Sequence, residues 1–255
     1  MSITIKKSFG ETAECLSDKN YNRQRLSPEY RDVYYLHLSD IVAFLRLATK
    51  SKYGCVLDYG CGGSPYRALF DCHTYLRADY VQSSGIDILI GDDGLLNLEN
   101  SSCDCVLSTQ VLEHVKDPQK YLAEAYRVLR PGGRLILTTH GIWEDHGCPF
   151  DFRRWTRDGL AMEIESAGFN VEEIAKLTTR DRAKFFLFSS AFDSIAESRK
   201  NLLGIAVWLL RKSAFGTLKT RNRWIDLKYP NDKIVIDESE RCEFYIALGV
   251  CAHKD

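Results

Sequence analysis

Val56-Leu57-Asp58-Tyr59-Gly60-Cys61-Gly62-Gly63-Ser64-Pro65 is an apolar run that breaks into glycines and then meets a proline. The apolar run predicts a buried strand, the glycines a tight turn tolerant of positive φ, and Pro65 the opening of a helix. A strand–turn–helix of this kind sets backbone N–H groups and close backbone access beside a ligand. Asp79 stands nineteen positions after Gly60, at the end of a second apolar run from Tyr75 to Tyr80. An acid at that strand tip is where a doubly wound sheet grips the hydroxyls of a ribose. The two features together predict an adenosine-like ligand.

At 255 residues the chain has room for one large α/β domain with a decorated end, not for two enzymatic domains. It is 45% apolar and 27% charged, a globular composition, and its net charge of −1 gives no overall attraction to nucleic acid. Residues 1–19 carry no apolar signal core, which predicts a cytoplasmic chain. The nine cysteines include no CxxC pair. Cys103 and Cys105 are expected on one face of a strand, as reduced core thiols rather than zinc ligands or disulfides.

Along the chain, Pro28 to Lys50 has helical apolar spacing, with Pro28 near the helix start. Strands are expected near Cys55–Asp58, Tyr75–Asp79, Ile86–Ile90, Cys103–Ser108, Leu135–Thr139, Val171–Leu177 and Phe244–Cys251. Helices are expected from Pro65, over Pro118–Leu129, and over Thr156–Ala167 with Gly168 as its cap. The alternation predicts a Rossmann-like, doubly wound, seven-stranded α/β sheet, mostly parallel with an antiparallel last strand. About six residues separate Asp79 from Ile86, too few for a helical crossover, so that connection is expected to lack its helix. The expected organisation is a helical cap over 1–50, a core over 51–179 and 241–255, and a helical basic-apolar insertion over 180–240.

The ordered motifs carry a family likeness from about Val56 to Phe169. The sequence resembles the class I S-adenosylmethionine-dependent methyltransferases. Val56 to Gly62 looks like the first motif, and Gly91-Asp92-Asp93 through Asp104 resembles the third-strand loop. Leu107-Ser108-Thr109-Gln110-Val111-Leu112-Glu113-His114-Val115 is similar to the segment beside the methionine moiety, and Arg127-Val128-Leu129-Arg130-Pro131-Gly132-Gly133 to the turn before the fifth strand. The likeness implies S-adenosylmethionine as cofactor. Two departures are visible: Ser64 stands in place of the third motif glycine, and Asp93 follows Asp92 where a small residue is usual. Gly60 to Arg67, His140-Gly141, His146 and Phe150 to Thr156 also resemble a subgroup associated with glycan biosynthesis, which implies a sugar or glycan hydroxyl as the methyl acceptor.

The candidate cofactor residues are Asp58, Gly60, Gly62, Arg67, Asp79, Asp92, Asp93 and Gln110. Asp58 can accept from the loop amides or reach the cofactor's amino group through water. Asp79 is the ribose ligand, and either Asp92 or Asp93 meets the adenine. Gln110 offers its backbone, and Arg67 either meets the cofactor carboxylate or forms an ion pair. His140, Asp145 and His146 follow the fifth strand, where ligands bind in open α/β sheets. His146, ahead of His140, is the candidate base with Asp145 to orient it, or both histidines only shape the loop. Phe150, Phe152, Arg153, Arg154 and Trp155 either line the acceptor mouth or, for Trp155, pack a helix start. Thr138 and Thr139 read as strand filler. Glu113 and His114 form a pair that in some relatives holds a divalent metal with a further glutamate. Gln110 stands at that further position, so no metal is expected and His114 reads as an oriented histidine.

The insertion carries an apolar run, Leu202–Leu210, between basic flanks, and residues 199–228 are strongly basic. The run is too short to span a bilayer, which takes about 20 residues. It reads as a cap over the acceptor or a homodimer contact, or else as a peripheral contact with the inner membrane surface that would suit a lipid-linked acceptor. A nicotinamide-dependent oxidoreductase is the competing enzyme class. It is disfavoured by Pro65 at the third fingerprint position and by the downstream motifs.

Overall fold

The computed structural model describes residues 19–91, 94–147, 150–197, 205, 217–230 and 244–255. Two helices, α1 (Lys19–Leu26) and α2 (Tyr35–Ala48), precede the sheet. The remaining elements are β1 (Lys52–Tyr59), β2 (Asp71–Asp79), β3 (Ile88–Leu89), β4 (Cys103–Thr109), α3 (Pro118–Val128), β5 (Leu129–His140), α4 (Arg157–Ser166), β6 (Asn170–Thr179), α5 (Arg180–Glu197), α6 (Leu218–Lys228) and β7 (Tyr245–His253).

The seven strands lie in the order β3-β2-β1-β4-β5-β7-β6. Pairings are parallel from β3 through β5, and β7 runs antiparallel to both β5 and β6. This is the expected doubly wound sheet. The β2–β3 crossover indeed has no helix, and Ala78 and Asp79 pair directly with Ile88 and Leu89.

Three sequence expectations need correction. No α-helix opens at Pro65; the chain makes one 3₁₀ turn, Arg67–Leu69, before β2 begins at Asp71. Ser64 takes φ +50°, and Arg67 N–H bonds back to the Ser64 carbonyl at 3.3 Å, so the segment spends its length on turns. Pro28 does not start α2; it lies in the turn between α1 and α2. Cys103 and Cys105 face opposite sides of the sheet, because a register irregularity in β4 between them breaks the two-residue period. The six described cysteines are all free thiols.

Helix ends follow local chemistry. The Asp117 carboxylate accepts from Lys120 N–H at 3.1 Å to cap α3, with Pro118 in its first turn, and Thr156 caps α4 through Gly159 N–H. One face of the sheet, with Leu57, Val106, Leu135 and Leu137, packs against Leu122 and Ala125 of α3 and Leu160 and Ile164 of α4. The other face, with Val56, Cys105, Ile136, Ala175 and Ala247, is covered by Ile41, Phe44 and Leu45 of α2. A side chain at Gly249 would stand 2.7 Å from the Phe44 ring, so the glycine lets α2 lie close on β7.

A buried cation ties the helices together at the β6–α5 corner. Arg182 donates to Asp40 of α2 at 3.0 Å, to Asp226 of α6 at 2.7 Å and to Ser39 Oγ at 2.9 Å, and Thr178 Oγ1 donates to the same Asp40 oxygen at 2.7 Å. Arg221, one of the basic residues of the insertion, is likewise buried in α6, whereas Lys219 and Arg223 are exposed. The other half of the proposed membrane-facing run, including Leu202, Leu203, Arg211 and Lys212, lies outside the described residues. Among the described residues no helix is long and apolar enough to cross a membrane.

Replacing Arg182 strands two carboxylates, one of them fully enclosed. Arg182→Met is expected to lower unfolding stability by about 3–5 kcal/mol in urea titration. Adding Asp40→Asn is expected to restore part of that loss; equal stability of the single variant and the parent would contradict the tie.

Candidate active site

The tips of β1, β2 and β4 form the ligand-facing edge on one side of the site. Gly60 turns the chain at φ +82°, and its N–H and that of Cys61 bond the Ala78 carbonyl at 2.9 and 3.0 Å. A Cβ at Gly60 would stand 2.6 Å from Val111, so the turn also needs the bare backbone for packing. Gly62, at φ +52°, donates its N–H to Asp79 Oδ2 at 2.8 Å, and Val81 N–H donates to Asp79 Oδ1 at 3.0 Å. The Asp79 carboxylate is therefore fixed at the strand tip, with lone pairs left for further donors.

Asp58 does not bond the loop amides; its Oδ2 accepts from the Tyr75 hydroxyl at 2.8 Å. Burial pushes its pKa up to about 7, against the lowering hydrogen bond from Tyr75. Arg67 donates to the Phe70 carbonyl at 3.0 Å and stacks over Tyr75 at 4.8 Å, so it folds onto its own turn and makes no ion pair among the described residues. A second guanidinium, Arg25 of α1, packs on the Tyr21 ring at 4.5 Å, and its charge acts on Tyr66, which follows the glycine turn.

Gln110 follows β4 in the left-handed region at φ +55°, a strained conformation for this residue. Its N–H bonds the Thr138 carbonyl at 2.8 Å and its side-chain amide donates to Thr138 Oγ1 at 3.1 Å. Asp92 and Asp93 lie outside the described residues.

The other side of the site is a knot of imidazoles after β4 and β5. Glu113, 0% exposed in the 3₁₀ turn Leu112–His114, accepts from Thr139 Oγ1 at 2.8 Å through Oε2, while its Oε1 lies 3.4 Å from His140 Nε2 and 4.0 Å from His114 Nε2. Thr138 and Thr139, read as filler, thus each hold a site residue. Burial raises the Glu113 pKa and lowers that of His140, which stacks on Trp143 at 4.5 Å. His37 of α2 packs on the same Trp143 at 4.6 Å, its pKa pushed down to about 3 by burial.

His146 is the accessible member of the knot, 35% exposed, with its ring 4.8 Å from His114 and 5.0 Å from His140. Its orienting acid is not Asp145, which is exposed, but Asp151. Asp151 Oδ2 accepts from His146 N–H at 2.9 Å and lies 3.2 Å from its Nδ1. The Arg154 guanidinium grips Asp151 through both oxygens and holds its carboxyl well below the usual range. Sequence offered one signal for this, the three-residue spacing of Asp151 and Arg154; for His37, inside an apolar helical run, it offered none. The Trp155 side chain packs against the core beside α4, and its backbone N–H donates to the His140 carbonyl at 3.0 Å.

These residues fit an adenosylated sulfonium. A bare-backbone turn and a fixed carboxylate suit the nucleoside, and a turned main chain beside β4 suits the amino-acid end. The raised pKa of Asp58 sets a pH test. Between the ordinary carboxylate range near pH 4 and about 7, the folded chain keeps a proton that the unfolded chain has lost, so stability falls as pH rises through that window. Asp58→Asn is expected to flatten this fall in thermal melts from pH 5 to 8 and to melt higher than the parent at pH 8. An unchanged pH profile would contradict the buried carboxyl's role.

Residues 57–137 match the family model described as a methyltransferase domain. A probable S-adenosylmethionine-dependent methyltransferase of Mycolicibacterium smegmatis is 30% identical over 172 residues, 59% of this chain and 65% of its own length. The chain spans less than two thirds of the length of the curated relatives it matches first, 53% in the Mycobacterium tuberculosis case. Among solved structures, the [4+2]-cyclase SpnF matches with a TM-score of 0.52 at 19% identity, covering 90% of this chain and 85% of that one. The 1,6-didemethyltoxoflavin-N1-methyltransferase of Burkholderia thailandensis matches with a TM-score of 0.50 at 14% identity, covering 99% and 93%. These likenesses concern the fold alone. The family match runs from Leu57, near the end of β1, to Leu137 in β5, and so takes in the glycine turn, Asp79 and the turn after β4 that the geometry brings together, which makes this part of the chain similar to a methyltransferase domain.

Proposed function

We propose that the chain transfers the methyl group of S-adenosylmethionine to a hydroxyl of a small hydroxylated acceptor, of the sugar or glycan class. The observation that carries this reading is the knot of His114, His140 and His146 around buried Glu113, in the turns after β4 and at the end of β5. Transfer to nitrogen or to an activated carbon has less use for such a concentration of proton acceptors.

When bound, S-adenosylmethionine supplies a methyl on a sulfonium, already activated for in-line displacement and departing as a neutral thioether. The chain's task is to align and to exclude water. Asp79 and the glycine turn hold the nucleoside end, and the backbone at Gln110 holds the amino-acid end. The acceptor hydroxyl gives up its proton to His146, the accessible imidazole of the knot. Asp151 and Arg154 keep the His146 ring turned to that task.

Calorimetry is expected to show S-adenosylmethionine binding in the micromolar range or tighter; heat only with a nicotinamide dinucleotide would overturn the reading. In a turnover screen of nucleotide sugars and lipid-linked glycans, His146→Ala is expected to slow transfer by about 100-fold or more with cofactor affinity unchanged. Asp151→Asn is expected to follow it in direction, and Asp145→Ala to behave as the parent. The reverse order of the two aspartates would contradict the geometry.

A further inference from the structure

We infer that Glu113, His114 and His146 form a binding site for one divalent transition-metal ion. Each offers one ligand atom, and the three atoms lie within 4.8 Å of one another. Around a tetrahedral ion with bonds near 2.1 Å, ligand atoms sit about 3.4 Å apart. A shift of about an ångström by the partly exposed His146 would close the set.

The ring orientations agree with this use. His114 Nδ1–H donates to the Phe150 carbonyl at 2.7 Å, which leaves the lone pair on Nε2, the atom 4.0 Å from Glu113 Oε1. His146 Nδ1 faces the Glu144 carbonyl at 3.3 Å and Asp151 at 3.2 Å, which leaves its Nε2 as the donor atom. Imidazoles held from behind by a carbonyl and a carboxylate are the arrangement that metal ligands adopt.

The second observation is Glu113 Oε1. It is buried without a hydrogen-bond donor, while the other oxygen of the same carboxylate is held by Thr139. An enclosed carboxylate oxygen with no donor is costly unless a cation meets it. Arg154, the nearest fixed cation in the loop, is committed to Asp151.

Two imidazoles and one carboxylate suit zinc, manganese, iron or cobalt better than magnesium, which takes oxygen ligands. Three protein ligands leave a position open, with His140 Nε2 at 3.4 Å from Glu113 Oε1 at its side. On the methyl-transfer reading, that position would take the acceptor hydroxyl, and with the ion bound His146 would act as a ligand in place of a base while the metal-bound hydroxyl loses its proton to solvent. The expectation of no metal rested on Gln110 standing where a glutamate would. Gln110 is spent on Thr138, and the third ligand comes instead from the loop after β5.

The test uses the full chain stripped with a chelator and titrated with Co²⁺ and Zn²⁺ by calorimetry, with the visible spectrum of the cobalt form recorded. One equivalent is expected to bind, with cobalt bands of a nitrogen- and oxygen-ligated ion. Glu113→Gln and His146→Ala are each expected to weaken binding at least tenfold, and exposed His73→Gln to leave it unchanged. His146 lies on a half-exposed loop, so its variant keeps the test open should Glu113→Gln fail to fold. No binding, or binding equally strong in both site variants, would overturn the inference. S-adenosylmethionine titrated into the same stripped protein separates the two proposals. Cofactor binding without ion binding sinks only the metal site, and ion binding without cofactor binding sinks only the methyl-transfer reading.

Discussion

β1 and β4 lie side by side and run the same way, yet the chain leaves their tips in opposite directions, toward β2 and β3 on one side and toward β5 on the other. No connection can cover the gap between them, so a crevice is built into the strand order. Everything placed in or beside that crevice follows from it: the glycine turn after β1, Asp79 on β2, Gln110 and Glu113 after β4, and His140 at the end of β5. The Gly60–Val111 contact holds the two tips at their spacing, since nothing larger than a hydrogen fits between turn and side chain.

The two sides of the crevice differ in kind. The β1–β2 side is backbone amides and fixed carboxylates, suited to a nucleoside. The β4–β5 side is aromatic and imidazole-rich, with one enclosed carboxylate at its centre. Glu113 organises the second side: its turn follows β4, its carboxylate is tied to Thr139 of β5, and its carbonyl accepts from Phe152 N–H at 2.8 Å. That last bond fixes the loop carrying His146 and Asp151 relative to the sheet. The histidine side is thus positioned by the same strand, β4, that neighbours β1 on the other side.

The strands were legible because period and length differ between buried runs and turns, and Asp79 was legible because its spacing from the glycines is set by one strand–turn–strand unit. What was hidden depends on tertiary neighbours. The helix read at Pro65 fails because only five residues separate it from the start of β2, room for one 3₁₀ turn. Cys103 and Cys105 part faces because of a register irregularity no composition announces. Arg67 departs from its expected role, since a guanidinium in a short turn finds its own carbonyl first. Asp151 displaces Asp145 because Arg154 and the His146 backbone both reach it, a choice made by the loop's path. Arg182 gave no sign in the sequence of linking α2, α5 and α6; its two acid partners are 142 and 44 positions away.

The most direct measurement is a crystal structure of the chain with S-adenosylhomocysteine. Ribose hydroxyls within hydrogen-bond distance of Asp79, with the sulfur directed toward His140 and His146, are expected. A nucleoside seated elsewhere, or a sulfur turned away from the histidine knot, would contradict the assignment of the two sides of the crevice.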